Sequence, residues 1–194
     1  MLAELLAAFF ALFTVIDPVG NSLCYLGLTT KHTPEEKKKL ANKAILISAI
    51  ILFLFLFVGN YIFEFFSIST GSLKLAGGVM LFLIGIKMVF GNTVCEGGLD
   101  RMTIAVVPLA MPFVAGPGVI TTAMIMSEKY GLIAAIAGVA LNLIISWIFY
   151  RKADAIYKVI GKQWGDVFSR IIGVVLLALA MEFGREGIKI LFAI

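Results

Sequence analysis

Apolar residues fall in long runs separated by short polar connections. A helix that crosses a bilayer needs about 20 mostly apolar residues. On that criterion the runs predict spans near residues 4–29, 42–63, 71–90, 103–127, 131–150 and 170–192. The first connection, TKHTPEEKKKLANKA, carries a helix start. Thr33 can cap, Pro34 suits the first helical position, and Glu36 completes a capping box. The second helix is therefore expected to begin in water and to enter the membrane near Ala44.

Two runs are interrupted from within. FFALFTVIDPVGNSLCYLGLT, residues 9–29, holds Asp17, Pro18, Gly20 and Asn21 at its middle. Proline removes a backbone donor and clashes with the preceding turn, and glycine permits angles a helix cannot use. MPFVAGPGVITT, residues 111–122, repeats the interruption with Gly116, Pro117 and Gly118; Pro117 stands 99 positions after Pro18. Spans three and six also align: KLAGGVMLFL (74–83) on RIIGVVLLAL (170–179), 96 positions apart, matches Gly77 with Gly173. Three spans per repeat put the second half into the bilayer upside down. The expected fold is thus an all-α polytopic membrane protein of six transmembrane helices, built as two inverted three-helix repeats with helices 1 and 4 discontinuous. The repeats cover residues 1–92 and 101–194, joined by a linker over 93–100, in a single transmembrane domain. Inverted repeats with one broken helix each point to a secondary transporter with a site at the repeat interface.

Composition agrees with a membrane protein: 61% hydrophobic and 14% charged, against about 45–50% and about 25% for a soluble domain. A cleaved signal would open with a basic segment, but no Lys or Arg precedes Lys31, so the first helix is expected to remain. Lys31, Lys37, Lys38, Lys39 and Lys43, then Lys87 and Arg101, then Arg151, Lys152, Lys158, Lys162 and Arg170 put twelve cations on one side. The other side has four: Lys74, Lys129, Arg185 and Lys189. This bias places the twelve in the cytoplasm and both termini outside the cell (inner) membrane. The net charge of +4 does not argue for nucleic acid, because the cations sit beside hydrophobic spans. Cys24 and Cys95 lack CxxC spacing, and the single histidine, His32, lies in a polar loop, so neither a metal centre nor another cofactor is expected. With no HExxH, GxSxG or paired catalytic aspartates, an enzyme is not expected either.

A broken helix exposes unpaired amides, with partial positive charge, at the start of its second half. Such breaks survive in a bilayer only against protein or a watery cavity. The amides of Val19, Gly20 and Asn21 after Pro18, and of Gly118, Val119 and Ile120 after Pro117, are candidates for holding a carboxylate. Ser22, Thr121 and Thr122 add hydroxyls, and Gly116 takes the position corresponding to Asp17. Asp17 can hold a substrate ammonium, bind a coupling cation (Na⁺) or carry a proton (H⁺). Zwitterionic amino acids match such a pairing. Plainer readings stand beside these: a kink without ligand, Asp17 as a helix cap, and threonines bonded to their own helix. Asn142, mid-span, is read as glue between helices. Lys87 is read as snorkelling to the interface, and Glu182, Arg185, Glu186 and Lys189 as a charge-paired cap at one mouth.

TVIDPVGNSLCYLGLT, PLAMPFVAGPGVITTAMI and SRIIGVVLLALAMEFGREGI resemble the MarC family of six-span membrane proteins over essentially the whole chain. Asp17, Pro18, Gly20 and Asn21 fit its D-P-x-G-N segment. Pro108, Leu109, Pro112, Gly116, Pro117, Gly118, Ile120, Thr121 and Thr122 fit its long fourth-span motif. Cys24 departs from the aliphatic or proline-rich continuation of relatives. The resemblance implies transport of small neutral amino acids such as glycine and alanine. A passive channel for small solutes remains the alternative, since half-helix ends also line filters. The sequence leaves the oligomeric state open.

Overall fold

The computed structural model describes residues 2–29, 32–90, 114–160 and 162–192. Among these the chain is helical apart from short turns: α1 (Leu2–Ile16), α2 (Pro18–Thr29), α3 (Pro34–Phe65), α4 (Thr70–Val89), α5 (Pro117–Tyr130), α6 (Leu132–Ile160) and α7 (Lys162–Phe192). The expected linker 93–100 and residues 103–113 of the fourth predicted span, with Cys95, Pro108, Leu109 and Pro112, lie outside the described residues. Leu2–Ser22, Pro34–Phe65, Thr70–Val89 and Leu132–Ile156 are long and apolar enough to cross a membrane.

The capping box forms as its residue types require. Thr33 accepts from the Glu36 amide, and the Glu36 carboxylate accepts from the Thr33 amide at 2.8 Å. Bonds from the Thr33 amide and hydroxyl hold the Glu36 carboxyl below the usual carboxylate range. From this start α3 runs 32 residues, about 48 Å, against a hydrocarbon core of about 30 Å. Beyond Lys43 it is apolar on both its inward and its outward face. Ala44, Ser48, Leu52, Leu56 and Gly59 are buried, whereas Leu46, Ile50, Leu54 and Phe57 are exposed. A helix hydrophobic on its outward face as well as its inward one is built for lipid.

The stretch 151–169, read from sequence as a cationic loop, is helical apart from residue 161, which is not described. Its Arg and Lys residues end a hydropathy run without ending a helix, because straight-chain charged residues are good helix formers. α6 and α7 therefore continue beyond the apolar stretch. Lys37 of α3 pairs with Asp154 of α6 at 2.9 Å, bringing the first and third cationic stretches to one end. Lys74 pairs with Glu186 at 3.1 Å, and Arg185 with Glu182, at the other end. The described cations thus segregate as their sequence grouping predicts.

α4 and α7 cross antiparallel on faces of small residues. A Cβ added to Gly78 would stand 2.8 Å from the Ala180 carbonyl oxygen, and one on Gly187 would stand 2.8 Å from that of Gly71. A Cβ on Gly85 would stand 3.1 Å from the Gly173 carbonyl oxygen. Gly71, Gly78 and Gly85 recur every seventh residue, as do Gly173, Ala180 and Gly187. This lets the backbones touch, which drives helix association where lipid removes the hydrophobic incentive. Gly78→Val should cost about 1–3 kcal/mol by overpacking, read as a lower melting temperature in detergent. Gly184→Ala, whose added Cβ meets nothing within 4 Å, should leave that temperature unchanged or higher. Equal losses from both variants would remove the close-packing explanation.

Candidate functional site: two helix starts beside a buried carboxylate

One residue separates α1 from α2. Asp17 has φ +42°, the left-handed region, which Asp and Asn enter more readily than other L-residues. Its amide closes the last turn of α1 on the Phe13 carbonyl at 2.9 Å, and its carbonyl accepts the first bond of α2, from the Asn21 amide, at 2.9 Å. Its carboxylate Oδ1 accepts from the Gly20 amide at 3.0 Å. Asn21 reaches back and donates through Nδ2 to the Ile16 carbonyl, occupying an acceptor that the break leaves at the end of α1. Pro18 demands such a break, having no amide to give to α1. Asp17 thus ends one helix and caps the next, while 6% exposed.

These bonds separate the sequence candidates into groups. The amides of Gly20 and Asn21, read as able to hold a carboxylate, are already engaged by Asp17. Ser22 donates its hydroxyl to the Val19 carbonyl of its own helix at 2.7 Å. Thr122 does the same to Gly118 at 2.8 Å, and neither bond reaches across to another element.

α5 starts differently. Its cap is Gly116, extended at φ −69° and ψ 164°, with no side-chain bond. Ile120 donates to the Gly116 carbonyl at 3.0 Å, and Pro117 has no amide. Gly118 and Val119 therefore carry the amides of the first turn. Val114, Ala115 and Val119 are buried around them. A helix N-terminus without an acidic cap is a ready acceptor for a negative group.

The two starts are neighbours. A Cβ on Gly118 would meet Val15 of α1 at 3.8 Å and Leu81 of α4 at 2.7 Å. The first turn of α5 thus lies against the last turn of α1, beside Asp17. Thr121, one turn on, fits only because Gly77 lacks a side chain: a Cβ there would stand 2.2 Å from Thr121 Cγ2. Gly77 and Gly173, matched in the sequence alignment, have different neighbours, Gly173 facing Gly85 and Met88.

α6 closes the other flank. Asn142 donates to the Phe9 carbonyl of α1 at 3.1 Å and to Gly138 at 2.8 Å, which is the interhelical role read for it. Lys87 is exposed in the last turn of α4. The sequence reading passed over Tyr25 and Tyr150. Their rings stack 4.9 Å apart with planes 5° from parallel, and Tyr25 donates to the Lys37 carbonyl at 2.6 Å. With the Lys37–Asp154 pair, this stack ties α2, α3 and α6 together at the lysine-rich end. The available signal was a polar residue every fourth position of α6: Asn142, Ser146 and Tyr150.

A model of MarC family integral membrane proteins matches residues 2–192. A UPF0056 membrane protein of Archaeoglobus fulgidus is 32% identical, over 94% of this chain and 91% of its own. The UPF0056 membrane protein YhcE of Escherichia coli is 33% identical, over 95% and 91%. YvbG of Bacillus subtilis, likewise a UPF0056 membrane protein, is 30% identical, over 100% and 98%. No solved structure matches the chain.

Proposed function

The chain belongs to the MarC family of integral membrane proteins, and on that premise we propose that it is a secondary transporter of small neutral amino acids working by alternating access. One observation carries the reading: a buried carboxylate at the break between α1 and α2 and the uncapped start of α5 stand side by side. Asp17 caps α2 through one oxygen and offers its charge to the substrate ammonium. The amides of Gly118 and Val119 take the substrate carboxylate, assisted by the positive end of α5. Opposite charges at the two ends of a zwitterion meet opposite partners, so neither end loses its solvation without replacement. Val15, Leu81, Thr121 and Gly77 crowd this start, which suits glycine or alanine better than a bulky side chain.

The closure at Tyr25, Tyr150, Lys37 and Asp154 is the gate at the lysine-rich end, which we assign to the cytoplasm of a cell membrane by the positive-inside rule. Alternating access would open this gate as the opposite end closes, with H⁺ or Na⁺ supplying the drive. Purified protein in liposomes should show saturable counterflow of labelled glycine or alanine. Linear flux without counterflow would indicate a channel, and no exchange under either ion gradient would overturn the reading.

A further inference from the structure

Three polar atoms on one face of α6 are buried without a protein partner: Asn142 Oδ1, Ser146 Oγ and Tyr150 Oη. Asn142 and Ser146 are 0% exposed and Tyr150 is 1%. Residues four apart on a helix lie one above the other, so the three form a stripe. Leaving buried polar groups unmatched is costly, and hydrocarbon offers no compensating water.

The stripe runs past the break. α6 is parallel to α1 and α2: Gly138 abuts Ala8 and Leu12, Asn142 reaches Phe9, and Tyr150 stacks on Tyr25. Ser146, halfway between the last two contacts, falls at the level of Asp17. The Asp17 carboxylate is close enough to Tyr150 to interact with it electrostatically. The stripe therefore links the buried acid to the gate at the lysine-rich end.

Its spacing decides what it can hold. The Cβ atoms of residues four apart on a helix stand about 5–6 Å from one another, on the scale of two ordinary hydrogen bonds of about 2.8 Å laid end to end. A hard cation such as Ca²⁺ gathers about 6–8 oxygens, and the stripe supplies three. One water between neighbours fits.

We propose that Ser146 and Tyr150, with Asn142 holding the inner end, carry a single file of water that moves protons between Asp17 and the Tyr25–Tyr150 gate. The coupling ion is then H⁺. An O–H bond forms on the Asp17 carboxylate as one breaks on the adjacent hydronium, and each hydroxyl or water along the file accepts one proton while giving up another. The two tyrosines stay neutral throughout. Residues 5–29, 44–63, 117–127, 131–150 and 171–181 of the helices around the file contain, as ionisable side chains, Asp17, Cys24, Tyr25, Tyr61, Tyr130 excluded by its place outside these ranges, and Tyr150. Lys37 and Asp154 stand beyond the gate. Asp17 is thus the acid within the span that can take up and release the proton. What the proton drives rests on the carrier reading above; the existence of the file does not.

The test uses the full chain with Cys24→Ser and Cys95→Ser. In that background Ser146→Cys should react with a small water-soluble methanethiosulfonate at least tenfold faster than Ile144→Cys, a lipid-facing control that is 54% exposed. Only a hydrated thiol ionises and attacks. Equal rates would overturn the file. In liposomes loaded with a pH dye, Ser146→Ala should slow glycine-driven proton movement at least tenfold while labelled glycine exchange stays within twofold. Equal loss of both would make Ser146 a substrate contact, and loss of neither would make it packing; each result overturns the assignment. If the unmodified protein moves no glycine, the carrier reading fails, and the labelling rates alone decide the file.

Discussion

Asp17→Asn is expected to abolish coupled uptake while leaving the protein folded. Asparagine enters the left-handed region that φ +42° requires. It also caps a helix about as well as aspartate, so the Gly20 bond survives. What disappears is the charge. A hydrogen bond to a charged group contributes about 1.5–3 kcal/mol, so apparent glycine affinity should fall about 10–100-fold. An amide cannot carry a proton through the cycle, so accumulation against a gradient should vanish even at saturating glycine. Asp17→Ala should also lose the cap, about 1 kcal/mol, and strain the backbone by about 1–2 kcal/mol. The measurement is gradient-driven uptake in liposomes beside melting in detergent. Normal coupled uptake by the asparagine variant would reduce Asp17 to its cap.

Gly77→Ala should cost transport more than its single carbon suggests. The new Cβ would stand 2.2 Å from Thr121 Cγ2 and 2.9 Å from Thr121 Cβ, so α4 and α5 must part. Overpacking of this kind costs about 1–3 kcal/mol. The displaced element is the first turn of α5, whose amides are proposed to hold the substrate carboxylate, and positioning errors of about 1 Å can cost about 100-fold. Uptake should fall at least about tenfold, well beyond the loss in stability. Thr121→Ser removes the offending methyl and should restore much of the activity when combined with Gly77→Ala. A double variant no better than the single would show that the overlap is not the cause.

Local chemistry made much of the site legible. The Asp17–Pro18 break, the start of α5 at Gly116–Pro117 and the capping box at Thr33–Glu36 each follow from residues within one turn of one another. Bonds and contacts that depend on relative placement were not legible. That Asp17 already holds the Gly20 amide is a fact of geometry, and it leaves the two helix starts chemically unlike. The stack of Tyr25 on Tyr150 joins residues far apart in the chain. The polar stripe on α6 could be seen as a spacing, but not as an inward face. The ends of α6 and α7 were missed because hydropathy marks where lipid stops, whereas a helix stops where its backbone does.

The α4–α7 interface bears on the order of assembly. Gly71 meets the region of Gly187, and Gly85 that of Gly173, so the partner of α4 emerges from the ribosome only after α5 and α6. At about 5–20 residues per second, α4 must wait on the order of 5–20 s with its glycine face turned to lipid. Contacts so distant in sequence are slow to form in any case. Insertion of α7 is therefore the step that closes this interface, and a chain halted before it would leave an adhesive helix in the bilayer.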